Sequence, residues 1–121
     1  MSRVLAVIAG LTLVLPPAAA EAQKPPRYDA YVVCSAQMSA PPATECGKKK
    51  PKMAIFVSKD KHVTYKICVR FPNKQKLCAA KQDAPKGVKR INNITSIQKG
   101  DHKVTWRVDG VKVATYVFEV K

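Results

Sequence analysis
The chain has 121 residues with 22 Lys and Arg against 8 Asp and Glu, a formal net charge of +14 and four cysteines. That length fits one domain after any leader is removed, and excludes a large multidomain catalyst. The charge excess favours anionic partners over acidic-residue chemistry such as paired-carboxylate hydrolysis.

In chain order, Met1-Ser2-Arg3 is a short positive start. Val4 to Leu15 carries no charge, and Ala18-Ala19-Ala20-Glu21-Ala22 offers small-residue cleavage sites. This reads as a secretory signal peptide over 1–22, cut after Ala22 or, as second choice, after Ala20. A run this short falls below the ~20 residues that span a bilayer. The location expected is therefore extracellular or periplasmic. Residues 23–28, with Pro25-Pro26, read as an extended lead-in, since proline donates no backbone hydrogen bond.

From residue 29 to 121 the pattern is one of short strands: Asp29 to Ser35, Met53 to Ser58, Val63 to Arg70, Lys76 to Lys81, Val88 to Ile94 and two closing strands. Pro, Gly, Asn and Lys-rich turns separate them, and no segment keeps a helical period. About seven such strands predict an all-β antiparallel sandwich.

Cys34, Cys46, Cys68 and Cys78 in an exported chain predict two disulfides. Cys68 and Cys78 are equidistant from Asn73, so a hairpin there sets them opposite each other, and Cys34 pairs with Cys46 by exclusion. The spacings do not suit a zinc site, and no Cys-x-x-Cys is present for redox catalysis. No cofactor or metal is expected.

The closing stretch places Asp109-Gly110 between Val104-Thr105-Trp106-Arg107-Val108 and Val111 to Val120, a strong hairpin signal. A plain two-residue turn pairs Val108 with Val111 and splits the large apolar groups between two faces. A type I turn with Gly110 as a G1 bulge pairs Arg107 with Val111 and is preferred. Val104 and Trp106 then share a face with Ala114, Tyr116, Phe118 and Val120, leaving Lys103, Thr105, Arg107, Thr115 and Glu119 on the other.

The run Gly100…Val104-x-Trp106-x-Val108-x-Gly110-x-x-Val113-Ala114-x-Tyr116-x-Phe118-x-Val120 resembles the final hairpin of small immunoglobulin-like β-sandwich modules of secreted bacterial proteins. The resemblance covers about a fifth of the chain and implies an immunoglobulin-like, disulfide-stapled sandwich. It departs from antibody-type domains in having its Trp near the end and no Cys in the closing strands.

His62 and His102 each lie in a Lys-rich setting and read as solvated strand-end residues. No nucleophile elbow, carboxylate pair or phosphate-cradling loop appears, so the chain is not expected to be an enzyme or to take a small-molecule substrate. Charge carries more. Lys48, Lys49, Lys50 and Lys52, then Lys86, Lys89 and Arg90, fall in turns; loops at one end of a sandwich converge, so these are the expected polyanion-binding residues. Lysine outnumbers arginine 17 to 5, which favours diffuse point-charge contacts over bidentate recognition.

The partners expected are anionic polysaccharide, cell-wall polymer or membrane surface, with non-specific nucleic acid as a further one. The competing reading is solubility and protected strand edges, although +14 exceeds the ~2–8 that solubility asks for. A second functional reading is an inhibitor or toxin-like effector acting through the proline-stiffened loop from Cys34 to Cys46, around Met38. Asn93-Ile94-Thr95 forms a glycosylation sequon.

Overall fold
The structure is a computed structural model and describes residues 27–121. The expected signal peptide and residues 23–26 of the lead-in lie outside the described residues, while Tyr28, expected in the lead-in, already opens the first strand. Nine strands and no helix make up the described chain: β1 Tyr28–Val33, β2 Glu45–Cys46, β3 Met53–Ser58, β4 Val63–Arg70, β5 Lys76–Cys78, β6 Gln82–Ala84, β7 Arg90–Asn93, β8 Gly100–Val108 and β9 Val111–Val120. The seven expected strands are all present, with small shifts of boundary. The additions are β2, two residues long, and β6, where the chain returns to β4 after a break at Ala79–Lys81.

The strands form a three-stranded sheet, β1-β3-β7, and a six-stranded sheet, β2-β9-β8-β4-β5, with β6 also on β4. That is the A-B-E against G-F-C order of an immunoglobulin-like sandwich, with β5 in the place of the extra strand beside C. All pairings are antiparallel except that of β2 with β9, which is parallel.

Alternation decides the faces, because successive side chains on a strand point to opposite sides. Along β4, Val63, Tyr65, Ile67 and Val69 are buried while Thr64, Lys66 and Arg70 are exposed. Along β8, His102, Val104, Trp106 and Val108 are buried. The core between the sheets joins these to Val32, Ala54, Phe56, Phe118 and Val120. Phe56 stacks on Tyr65 at 4.5 Å between ring centres. The Tyr65 hydroxyl lies 2.8 Å from Gln82 Oε1 and 2.9 Å from Asn92 Oδ1, so one polar tip ties the large sheet to β7 of the small one.

The closing hairpin corrects the expected turn. Val108 pairs with Val111, and both Asp109 (φ 52°) and Gly110 (φ 78°) are left-handed. This is the two-residue type I′ arrangement, whose twist matches that of the strands. The irregularity sits further in, between Trp106 and Arg107, where Val113 is the extra residue opposite them. Beyond it Trp106 faces Ala114, Val104 faces Tyr116 and His102 faces Phe118. The apolar set is thus gathered on one face as expected, by a bulge inside β9 rather than one at the turn.

Two disulfides join Cys34 to Cys46 and Cys68 to Cys78. The second spans directly opposed residues of β4 and β5. The first pins the loop before β2, which is tied further by Ala43 N donating to Val32 O, Glu119 N to Thr44 O, and the Tyr116 hydroxyl to Ala43 O.

Candidate functional site
The outward residues of the six-stranded sheet make the strongest charged feature among the described residues. On β4 these are Thr64, Lys66, Cys68 and Arg70; on β8, Asp101 at the strand's start, then Lys103, Thr105 and Arg107. The register aligns them in rows. Lys66 faces Arg107, which faces Lys112; Lys76 faces Arg70, which faces Lys103. Between the two rows runs a neutral one of Cys78, Cys68, Thr105 and Thr115. Neighbouring strands are about 4.8 Å apart and residues four apart on a strand about 13 Å, so each row spans roughly 10 Å.

Like charges set directly opposite on a sheet face destabilise it, and this face has four such pairs. Of the seven side-chain carboxylates among the described residues five have partners outside these rows, while Asp101 on β8 and Asp109 at the turn border the face without an ion pair. Asp29 pairs with Lys59, Asp60 with Arg27, Asp83 with His62, and Glu45 and Glu119 with Lys121. Among the described residues no ion pair involves Lys66, Arg70, Lys76, Lys103, Arg107 or Lys112.

Besides a hollow of about 380 Å³ at the edge, where Asp101 lies with Arg70, Lys74 and Lys103, two hollows lie on this face. One, of about 170 Å³, is lined by Cys68, Arg70, Lys76, Lys103, Thr105, Arg107 and Lys112. The other, of about 390 Å³, is lined by Thr64, Tyr65, Lys66, Lys81, Arg107, Asp109 and Gly110. Arg107 belongs to both. Such a surface can neutralise a row of anionic groups without burying them.

The loop lysines expected from the sequence fall elsewhere, and not together. Lys48, Lys49 and Lys50 are exposed in the turn before β3, while Lys86 and Lys89 are exposed beside Gly87, whose N–H donates to Ser58 O at the far end of that strand. The length of β3, about 17 Å, separates the two groups. Lys52 is 4% exposed, and its Nζ donates to Lys48 O at 3.1 Å and Lys50 O at 2.9 Å. It props up the turn, and burial pulls its pKa below the ordinary ammonium range. Arg90 is half-buried, and its guanidinium sits beside the Tyr65 hydroxyl, with Nε buried. Lys52 and Arg90 therefore leave the expected set for a steric reason, being turned inward.

His102 is likewise not a solvated strand-end residue. It is 0% exposed, stacked on Phe118 at 4.9 Å and edge-on to Phe71. Its Nδ1 lies 3.1 Å from Gly100 O and its Nε2 2.7 Å from Ser96 Oγ. A carbonyl only accepts, so Nδ1 carries the proton and Nε2 accepts from Ser96. Desolvation lowers its pKa, with Lys52 adding to that, against the Gly100 carbonyl and Asp101. A backbone carbonyl rather than a carboxylate holds the ring, so the pair lacks the orienting acid of a nucleophilic triad. His62 is exposed beside Asp83.

Among the described residues no group of three His, Cys, Asp or Glu is arranged to hold a metal. Met38 is 44% exposed in the clamped loop, where Ala40 N donates to Gln37 O and closes a turn around it.

The fold and this face define an immunoglobulin-like β-sandwich with a cationic outer sheet. No family model and no curated protein matches the chain. Among solved structures, an immunoglobulin-like protein from Pseudomonas aeruginosa is similar over 78% of this chain and 91% of that one, at 13% identity and a TM-score of 0.42. The class assignment rests on the strand order.

Proposed function
We propose that the chain is an exported, non-catalytic binding module that captures anionic polymers or surfaces through the outer face of its six-stranded sheet. One observation carries this reading: cations stand directly opposite cations on β4, β5, β8 and β9, and among the described residues none of them forms an ion pair. A bound polyanion turns that repulsion into attraction and gains the release of its own counterions. The partner class is anionic polysaccharide, wall polymer or lipid surface. Nucleic acid is less well served, because its bases need aromatic platforms, and no aromatic side chain is among the outward residues of β4 and β8.

Export is supported by two disulfides, which suit an extracellular or periplasmic protein, and by the signal-like pattern of residues 1–22. The inhibitor reading draws less support, since the turn around Met38 is not the extended strand that a protease cleft accepts.

The test compares two triple variants on an array of anionic and neutral polymers at low and high salt. Lys66, Arg107 and Lys112 changed to Gln should lose binding, while Lys48, Lys49 and Lys50 changed to Gln should keep most of it. Wild-type binding should fall steeply with salt. Equal losses in both variants, or salt-insensitive binding, would refute the assignment to the sheet face.

A further inference from the structure
The cationic face carries more than charge. In the smaller hollow Thr105 forms part of the floor, with Arg70 and Lys103 toward one side and Arg107 and Lys112 toward the other. Two guanidinium groups, ammonium groups and a hydroxyl therefore border one hollow. A carboxylate has two oxygens in one plane and is satisfied by a single fork. A sulfate or phosphate ester has three terminal oxygens and can meet all three.

The larger hollow adjoins at Arg107 and contains Asp109 and Thr64 among Lys66 and Lys81. A carboxylate on its rim gives a bare polyanion nothing but repulsion. It can, however, accept a hydrogen bond from a hydroxyl, as can Thr64. A hydroxylated carrier is favoured there over polyphosphate or nucleic acid.

Resting on the reading of this face as a polyanion surface, the geometry points to a sulfate or phosphate ester carried on a polysaccharide. The ester occupies the smaller hollow over Thr105, and the adjoining sugar occupies the larger one beside Asp109.

The oxidised full chain is titrated against dextran sulfate, dextran phosphate, carboxymethyl dextran of matched charge per sugar, and inorganic polyphosphate. The esters should bind about tenfold tighter than the carboxymethyl polymer, as expected for one further charged hydrogen bond. Comparing the two esters then distinguishes sulfate from phosphate as the acid. Thr105→Val and Arg107→Lys, both exposed or half-exposed conservative changes, should erase the preference while retaining salt-sensitive binding.

Asp109→Gly keeps a left-handed turn and should weaken binding of the dextran esters but not of polyphosphate. Equal affinity for all four polymers, or an Asp109→Gly variant that binds every one of them more tightly, overturns the ester site and leaves the polyanion surface standing. Binding to none of them overturns both.

Discussion
Lys66 and Arg107 face each other directly across β4 and β8, both on the solvent side of the sheet. Such a pair costs stability in the free protein, and the cost is repeated at Arg107–Lys112, Arg70–Lys103 and Arg70–Lys76. Stability and binding should therefore respond in opposite directions to the same change.

Lys66→Glu tests this. It replaces a repulsive cross-strand pair by an attractive one, which at an exposed position is worth about 0.5 kcal/mol. For a domain of this size that is a rise of roughly 2–4 °C in Tm, accompanied by weaker binding to dextran sulfate. Thermal unfolding followed by circular dichroism gives the first quantity and salt-titrated binding the second. A variant less stable than the parent would remove the argument that the face is held against its own repulsion.

The acid limb of stability should belong to His102. Its folded pKa lies below the ordinary 6.5 because desolvation disfavours the imidazolium. The unfolded chain thus takes up a proton at a pH where the folded one does not. Stability is complete above 6.5 and falls as the pH drops from there toward the folded pKa, where the loss levels off. Urea unfolding between pH 7.5 and 4.5 should show the decline in the parent and in His62→Asn. Should His62→Asn abolish it, the exposed histidine would be its source instead.

The Cys34–Cys46 bridge closes a loop with a sequence separation of 12. Replacing both residues by Ser should cost about 3 kcal/mol by loop entropy. It should also loosen β2, a two-residue strand bonded in parallel to β9. Hydrogen exchange at the Glu119 amide, which donates to Thr44 O, should accelerate by more than at Trp106 in the middle of β8. Uniform acceleration across both strands would mean that the bridge acts only through the unfolded state.

Much of the fold was legible because it follows from alternation. The pattern of Val63, Tyr65, Ile67 and Val69 defines β4 without any partner, and symmetry about Asn73 sets Cys68 opposite Cys78. The cationic face was half legible. Lys103, Thr105 and Arg107 share a side on any reading that buries Val104 and Trp106. Their alignment with Lys66 and Arg70 depends on β4 pairing with β8, residues about forty apart in sequence, and no local signal specifies that contact. Lys52 and His102 were misplaced for the opposite reason. Their polarity suggests solvent, but local acceptors, two carbonyls for one and a carbonyl with a serine hydroxyl for the other, satisfy them inside.

The turn at Asp109-Gly110 ties these matters together, because it fixes which residue faces Arg107. A type I turn with a G1 bulge would keep Asp109 right-handed, and almost any side chain would be tolerated there. The observed φ of 52° at Asp109 is a conformation that Asn and Asp tolerate and β-branched residues do not. Asp109→Val should therefore lower stability by about 1–2 kcal/mol, whereas Asp109→Asn should be neutral or stabilising, Asn-Gly being preferred in type I′ turns. Chemical denaturation of both variants checks this. Equal stabilities would favour the bulged turn, which pairs Arg107 with Val111 instead of Lys112 and shortens the row of cations that Lys66 begins.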